Sequence, residues 1–253
     1  MLRPSLHGTE VNIFVMNKFD YSLVLTRADG TTKIIPVEFT RALSSKSIRI
    51  TPNLARQIVR VSYPIYSPRA RAISFLEDKK EWVATKLSKA PDKTRIEDGM
   101  EISIFGRIFR IAHLPNARRG VFAEGGTLFV SGGSEFMHRR VLDYIKIEAG
   151  KFFTNSTRAY AKKLDKKPAK ISIKDTTSRW GSCTADGYLS FSWRLAFAPI
   201  HIAQYIAAHE VAHLAEMNHS PKFWRTLARM YDGDIEAAQK WLARNGAKLW
   251  TLE

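Results

Sequence analysis

One stretch narrows the options for this chain more than any other: Ala207-Ala208-His209-Glu210-Val211-Ala212-His213, followed by His219. It reads H-E-x-x-H, with a third histidine six residues after the second. On a helix, residues i and i+4 share a face, so the two imidazoles converge on a point outside it. That spacing suits two nitrogen ligands of a tetrahedral zinc ion. Glu210 is rotated by about 100° from His209 along the helix. It stands beside the metal position, where a carboxylate can take a proton from an activated water. The stretch therefore predicts a helix carrying a one-zinc site, with His209 and His213 as ligands and Glu210 as the base.

The flanking residues support a helix. Pro199 is tolerated in a first turn, and Ala203, Ala207, Ala208, Ala212 and Ala215 are strong helix formers. Asn218 reads as a left-handed residue ending that helix. Ser220-Pro221 reads as N-cap and first-turn proline of another helix, Pro221 to Met230. His219 then lies in the turn between two helices, from which it can swing back as the third ligand. Glu216, i+3 from His213, is the competing ligand. His219 is preferred, because three-histidine sites are common and Glu216 can act from behind a ligand.

Charge and cysteine usage limit the setting. A single cysteine excludes an internal disulfide framework. The N-terminus lacks a leader pattern, and its best apolar run, Val11–Met16, is too short to span a membrane. A cytoplasmic protein with no membrane association is expected. The net charge of +16 is uneven. Residues 139–179 carry 12 Lys/Arg against 4 Asp/Glu, whereas residues 181–253 carry 7 of each. The segment Arg139–Arg179 is thus a candidate contact for nucleic acid or another polyanion. Its bland counterpart is a solvated helix face.

Along the chain, an α+β fold is expected, in two parts. Residues 1–133 read as a β-rich region and 134–253 as the domain holding the H-E-x-x-H helix. Strands are predicted at Val11–Met16, Tyr21–Arg27, Lys33–Phe39, Ser47–Thr51, Ile58–Tyr63, Glu101–Ile111 and Thr127–Val130, with a hairpin signal at Asp29-Gly30. A helix is predicted over Pro68–Leu87. Ser134 can cap a second helix that runs to Leu164, with a break near Asn155. Strands Lys170–Lys174 and Tyr188–Phe197 follow, and Asp234–Asn245 reads as the last helix. No internal repeat is evident.

Three further features adjoin the metal helix. Tyr188–Trp193 alternates along a strand that is either an open edge, able to take an extended peptide by strand addition, or a paired internal strand. Cys183 reads as a small buried thiol rather than a fourth ligand, since a hydrolytic zinc needs an open position. Arg179 is either an oxyanion stabiliser or a solvated or ion-paired cation.

The combination of Ser178-Arg179-Trp180-Gly181-Ser182-Cys183, Phe191–Leu195, His209–His213 and Asn218–Trp224 resembles the YgjP-like, or WGSC-type, zinc metallopeptidases and metal-dependent hydrolases. The resemblance is strong over residues 131–250 and weaker over residues 49–82. It implies a zincin-like α+β catalytic domain, His209, His213 and His219 as ligands, and Glu210 as base. It implies no particular substrate. The histidine spacing also matches the metzincins, but Glu216 stands where those enzymes carry glycine. The expected activity is peptide-bond hydrolysis on peptide or protein substrates. The alternatives are hydrolysis of nucleotide phosphate anhydrides and a nucleic-acid-associated protease of SprT-like logic. No glycine-rich phosphate cradle or carboxylate cluster for Mg²⁺ supports the former.

Overall fold

The structure is a computed structural model that describes residues 21–26, 32–88, 93–177 and 179–252. The predicted strand Val11–Met16, the hairpin signal at Asp29-Gly30 and Ser178 lie outside the described residues. The fold is mixed α+β, as expected, and its contacts divide it into two compact units.

The first unit comprises the described residues of Met1–Asn53 and Gln57–Leu87. It holds β1 (Tyr21–Thr26), β2 (Thr32–Ala42), β3 (Arg49–Asn53) and β4 (Ile58–Pro64), then α1 (Arg69–Asp78) and α2 (Lys80–Leu87). The sheet order is β1-β2-β4-β3, with a parallel β2–β4 pair between two antiparallel pairs. Alternation along the strands places Leu23, Leu25, Ile35, Val37, Val59 and Val61 on one buried face. Ala72 and Leu76 of α1, and Val83 and Leu87 of α2, each four residues apart, complete this core. The predicted single helix over 68–87 is two helices. The break is at Lys79, which leaves helical geometry at φ −103°, ψ 11° and bonds back to Leu76 rather than one residue further.

The second unit takes in Leu54–Arg56 and Ser88–Glu253. Its first sheet is β5 (Glu101–Ile104), β6 (Arg107–Leu114), β7 (Val121–Glu124) and β8 (Thr127–Ser131), in the order β5-β6-β8-β7. The predicted strand Glu101–Ile111 is therefore two, folded at Phe105-Gly106, both at positive φ. Positive φ at both central residues is the two-residue hairpin geometry that follows strand twist. Phe105 in such a position hides the turn from residue-type reading. Gly125-Gly126 repeats the geometry between β7, which the sequence reading missed, and β8.

Next comes α3 (Met137–Lys163), with no break at Asn155. Ser134 does not cap it; a 3₁₀ turn at Ser134–Phe136 leads in instead. Val141, Leu142, Ile145, Ala149, Phe153, Thr157 and Ala161 form its buried stripe. This stripe shares one core with Ile102, Ile104, Ile111, Leu128 and Val130 of the β5–β8 sheet. The boundary expected at residues 133/134 thus falls inside a unit, because α3 covers the apolar face of the sheet before it; the division lies at Leu87/Ser88.

The remaining elements are β9 (Lys170–Lys174), β10 (Gly181–Cys183), β11 (Tyr188–Ser192), α4 (Ile200–Ala212), α5 (Pro221–Met230) and α6 (Ile235–Asn245). The second sheet of this unit has the order β10-β11-β9. The expected strand over 188–197 ends at Ser192, and Trp193–Phe197 form a buried 3₁₀ turn. Arg194 in that turn is 7% exposed. It bonds both carboxylate oxygens of Asp175, at 2.7 and 3.2 Å, and donates to the Leu252 carbonyl, so the buried guanidinium is paired. Among the described residues, no helix is long and apolar enough to cross a membrane.

Candidate metal centre

Helix α4 is buried almost all round, with Ile202, Ala203, Tyr205, Ile206, Ala207, Ala208, Val211 and Ala212 inside. A helix apolar on every side belongs in a core. Its small alanines let it lie against α3, and that environment rigidly presents the polar residues it carries. The helix ends at Ala212, several residues before the predicted end, and Asn218 is not left-handed. The last turn tightens instead: Leu214 N–H bonds Val211 and Ala215 N–H bonds Ala212, each three residues back. His213, at the cap, turns Nδ1 toward the Glu216 carbonyl at 3.1 Å. That bond leaves Nε2 as its free ligand atom.

The structure brings His209, His213 and His219 together, with one ligand atom from each lying within 4.8 Å of the others. Their ring centroids are 4.8 to 5.1 Å apart. Nε2 of His209 and Nε2 of His219 face each other at 3.0 Å. Two ring nitrogens so placed repel through their lone pairs unless a proton or a cation lies between them. Burial, reinforced by the charges of His213 and His219, lowers the pKa of His209 to about 4. Burial also lowers that of His213. Both imidazoles are thereby neutral near pH 7, the form that binds metal. A set of three converging imidazoles fits zinc.

His219 gets its position from the cap of α5. Ser220 Oγ accepts the Phe223 N–H at 3.4 Å and Pro221 occupies the first turn, as predicted. Glu216 is not part of the cluster: its carboxylate pairs with Lys222 at 2.5 Å, and it serves His213 through its carbonyl. Two residues went unassigned in the sequence reading. Phe223 is fully buried, with its ring 4.6 to 5.0 Å from all three histidine rings. Trp224 flanks His219 at 5.8 Å. Both lie in the first turn of α5 next to the cap, and that adjacency to His219 was the available signal.

Glu210 is 7% exposed. Burial pushes its carboxyl up to about 7, with the positive charge of Arg179 pulling the other way. Its place is set by the Trp180–Cys183 segment, whose four residues have separate tasks. The Trp180 ring packs on Trp250, centroids 4.4 Å apart, and its carbonyl accepts the Ser192 N–H. Gly181 lies so close to Glu210 that an added Cβ would stand 2.5 Å from Glu210 Cγ. Ser182 and Ser190 share a hydroxyl hydrogen bond of 2.8 Å across the β10–β11 pair. Cys183 is half-buried, and burial together with the Glu210 charge pushes its thiol up to about 11, so it stays protonated and outside the cluster.

The predicted choice for Tyr188–Trp193 resolves to a paired internal strand, since β11 pairs β10 on one side and β9 on the other. The open edge belongs to β10, which passes beside Glu210; among the described residues no strand pairs its far side. Arg179 is exposed beside Glu210.

The model of the YgjP-like metallopeptidase domain matches residues 46–245 of this chain. No curated protein matches it. Among solved structures, the metallopeptidase zymogen abylysin of Pyrococcus abyssi is similar at 21% identity, over 38% of this chain and 94% of that chain, with a TM-score of 0.33.

Proposed function

The chain belongs to the YgjP-like metallopeptidase family, and from that premise we propose that it is a zinc-dependent peptidase in which His209, His213 and His219 hold one ion and Glu210 is the general base. The domain that does this is then zincin-like: an H-E-x-x-H helix beside a sheet whose edge strand receives the substrate. The observation carrying this reading is the buried Glu210 carboxyl, held against Gly181 next to three converging imidazoles.

When bound, the zinc ion lowers the pKa of water and polarises a carbonyl as a Lewis acid. The chain's residues supply the rest. A carboxyl that burial shifts to about 7 can both accept and return a proton near neutral pH. Glu210 therefore takes the proton of the attacking water and passes it to the departing amine. Arg179, exposed next to it, is placed to steady negative charge developing on the carbonyl oxygen. An extended peptide can add to the free edge of β10, which brings its backbone past Glu210. Phe223 closes the cluster on its inner side and excludes water from behind the histidines.

Metal analysis of the purified protein beside a peptide-library digest tests the reading. Glu210→Gln should retain about one zinc per chain and lose about 10²–10⁴-fold in turnover, because the amide keeps the shape but cannot accept the proton. Full turnover in that variant, or loss of the metal with it, contradicts the role given to Glu210.

A further inference from the structure

We propose that the concave surface between the C-terminal end of α3 and the start of β9 binds the phosphodiester backbone of a nucleic-acid duplex, without reading its sequence. It does not rest on the reading of the metal cluster. The basic segment 139–179 splits into two kinds of residue. In its first half three of the four cations are committed: Lys146 pairs with Asp143 at 2.9 Å, Lys151 with Glu148 at 2.8 Å, and Arg140 donates to the Ser131 carbonyl. In its second half five of the eight converge instead, while Lys163 is held by the Met230 carbonyl and Asp232. Arg158, Lys162, Lys166, Lys167 and Lys170 line one cavity of about 590 Å³, with Asp165 its only acidic residue among those described. All five cations are exposed, and none has a carboxylate partner among the described residues.

The loop that carries them is built. Asp165 takes a left-handed φ of 50°, the Asp165 N–H bonds the Lys162 carbonyl, and the Lys166 N–H bonds the Ala161 carbonyl. That pair of bonds is a Schellman cap, which fixes the direction in which the chain leaves the helix. Pro168 stiffens the next step, and the Ala169 N–H is tied to the Gly187 carbonyl at 2.9 Å. Lys166 and Lys167 therefore stand on a loop anchored at both ends. The attraction of cations to a helix C-terminus accounts for Lys162. It does not account for Arg158, a turn earlier, or for Lys167 and Lys170, which lie beyond the cap.

The chemistry of the lining selects the ligand. Four of the five cations are lysines, compact point charges that bind phosphate oxygens without the bidentate geometry an arginine fork brings to phosphate or carboxylate. Among the described residues no aromatic side chain lines the cavity, so it lacks the stacking platform that single strands require. Backbone contact with a duplex remains.

The test is fluorescence anisotropy of the full chain with a labelled mixed-sequence duplex, DNA in one arm and RNA in the other, over a series of salt concentrations. Binding with a log–log salt slope of about −4 is expected, from about 0.9 per phosphate neutralised; the tighter arm identifies the source of the backbone. Lys166→Glu/Lys167→Glu should weaken binding at least about tenfold and reduce the slope by about one per lysine. Lys166→Ala/Lys167→Ala should do the same to a smaller degree and guards against a folding defect. Lys146→Glu/Lys151→Glu, the same change in net charge, should cost less than about threefold, as for remote, screened surface charges. No binding at low salt, equal losses in the two charge-reversal variants, or displacement by poly-glutamate as effective as by duplex, each overturns the proposal.

Discussion

Two four-stranded sheets in this chain follow one plan. In β1-β2-β4-β3 and in β5-β6-β8-β7 the order is first, second, fourth, third, with a parallel pair between two antiparallel ones. Each is followed by a helical segment whose buried residues join those of the sheet in one core. They part company in that segment. After β4 it breaks at Lys79 into helices of 10 and 8 residues, enough to cover one small sheet. After β8, α3 runs for 27 residues, about 40 Å at 1.5 Å per residue. Beyond its own sheet, α3 has surface left, and β9, the Trp193–Phe197 turn and α4 pack on it. The same sheet topology thus ends in a small unit in one case and in a scaffold for the helix that carries His209 and Glu210 in the other. Topology alone says nothing about function; the side chains mounted on the longer helix's neighbours do.

If the site depends on what was added around α3, removing a ligand from the added elements should have the largest effect. On the proposed assignment His219→Ala removes a bond to the ion and should weaken zinc affinity by well over about 100-fold, read by chelator competition at fixed pH. Glu216→Ala should fall at or below the usual range of about 10–100-fold for residues behind a ligand. It abolishes the Lys222 ion pair but spares the carbonyl that orients His213. The reverse ranking would mean a His₂Glu site.

Gly181→Ala comes next. A methyl group 2.5 Å from Glu210 Cγ must displace either the carboxylate or β10. Misplacement by about 1 Å can cost on the order of 100-fold in rate. The zinc content should not change, because the atoms an added Cβ meets first all belong to Glu210. A variant with full activity would show that the close approach has no part in placing Glu210.

The histidine cluster was legible in the sequence because helical spacing is a strong constraint and the third histidine sat beside a capped turn. The end of α4 was not: no glycine or proline marks it, and the tightened turn is held by His213 reaching the Glu216 carbonyl. The shared plan of the two sheets was also hidden. It needs only alternating strands and turns, and the turns differ: residues 54–57 join β3 to β4, whereas Gly125-Gly126 joins β7 to β8. The strand β10 was invisible because three residues carry no period, and only its pairing with β11 defines it. The domain boundary was misplaced because Ser131–Ser134 has the composition of a linker, whereas what decides the division is the apolar face of α3 on the sheet before it.

The smallest expected effects are a pair of identical substitutions with opposite signs. Gly126→Ala, in the β7–β8 turn, meets no atom within 4 Å, yet its φ of +80° disfavours any side chain. The loss should be about 1–2 kcal/mol of stability, the cost of left-handed backbone. Gly150→Ala lies inside α3, where an added Cβ makes only an ordinary contact with Ile173 at 3.8 Å. There alanine restricts the unfolded chain and favours the helix, so a gain of about 0.4–1 kcal/mol is expected. In a protein of this size that is a rise of about 1–4 °C in Tm, readable by calorimetry. A gain at residue 150 means that the long helix is continuous where the first unit's helix breaks. A loss there would place a break in α3 as well, and the contrast between the two helical segments would disappear.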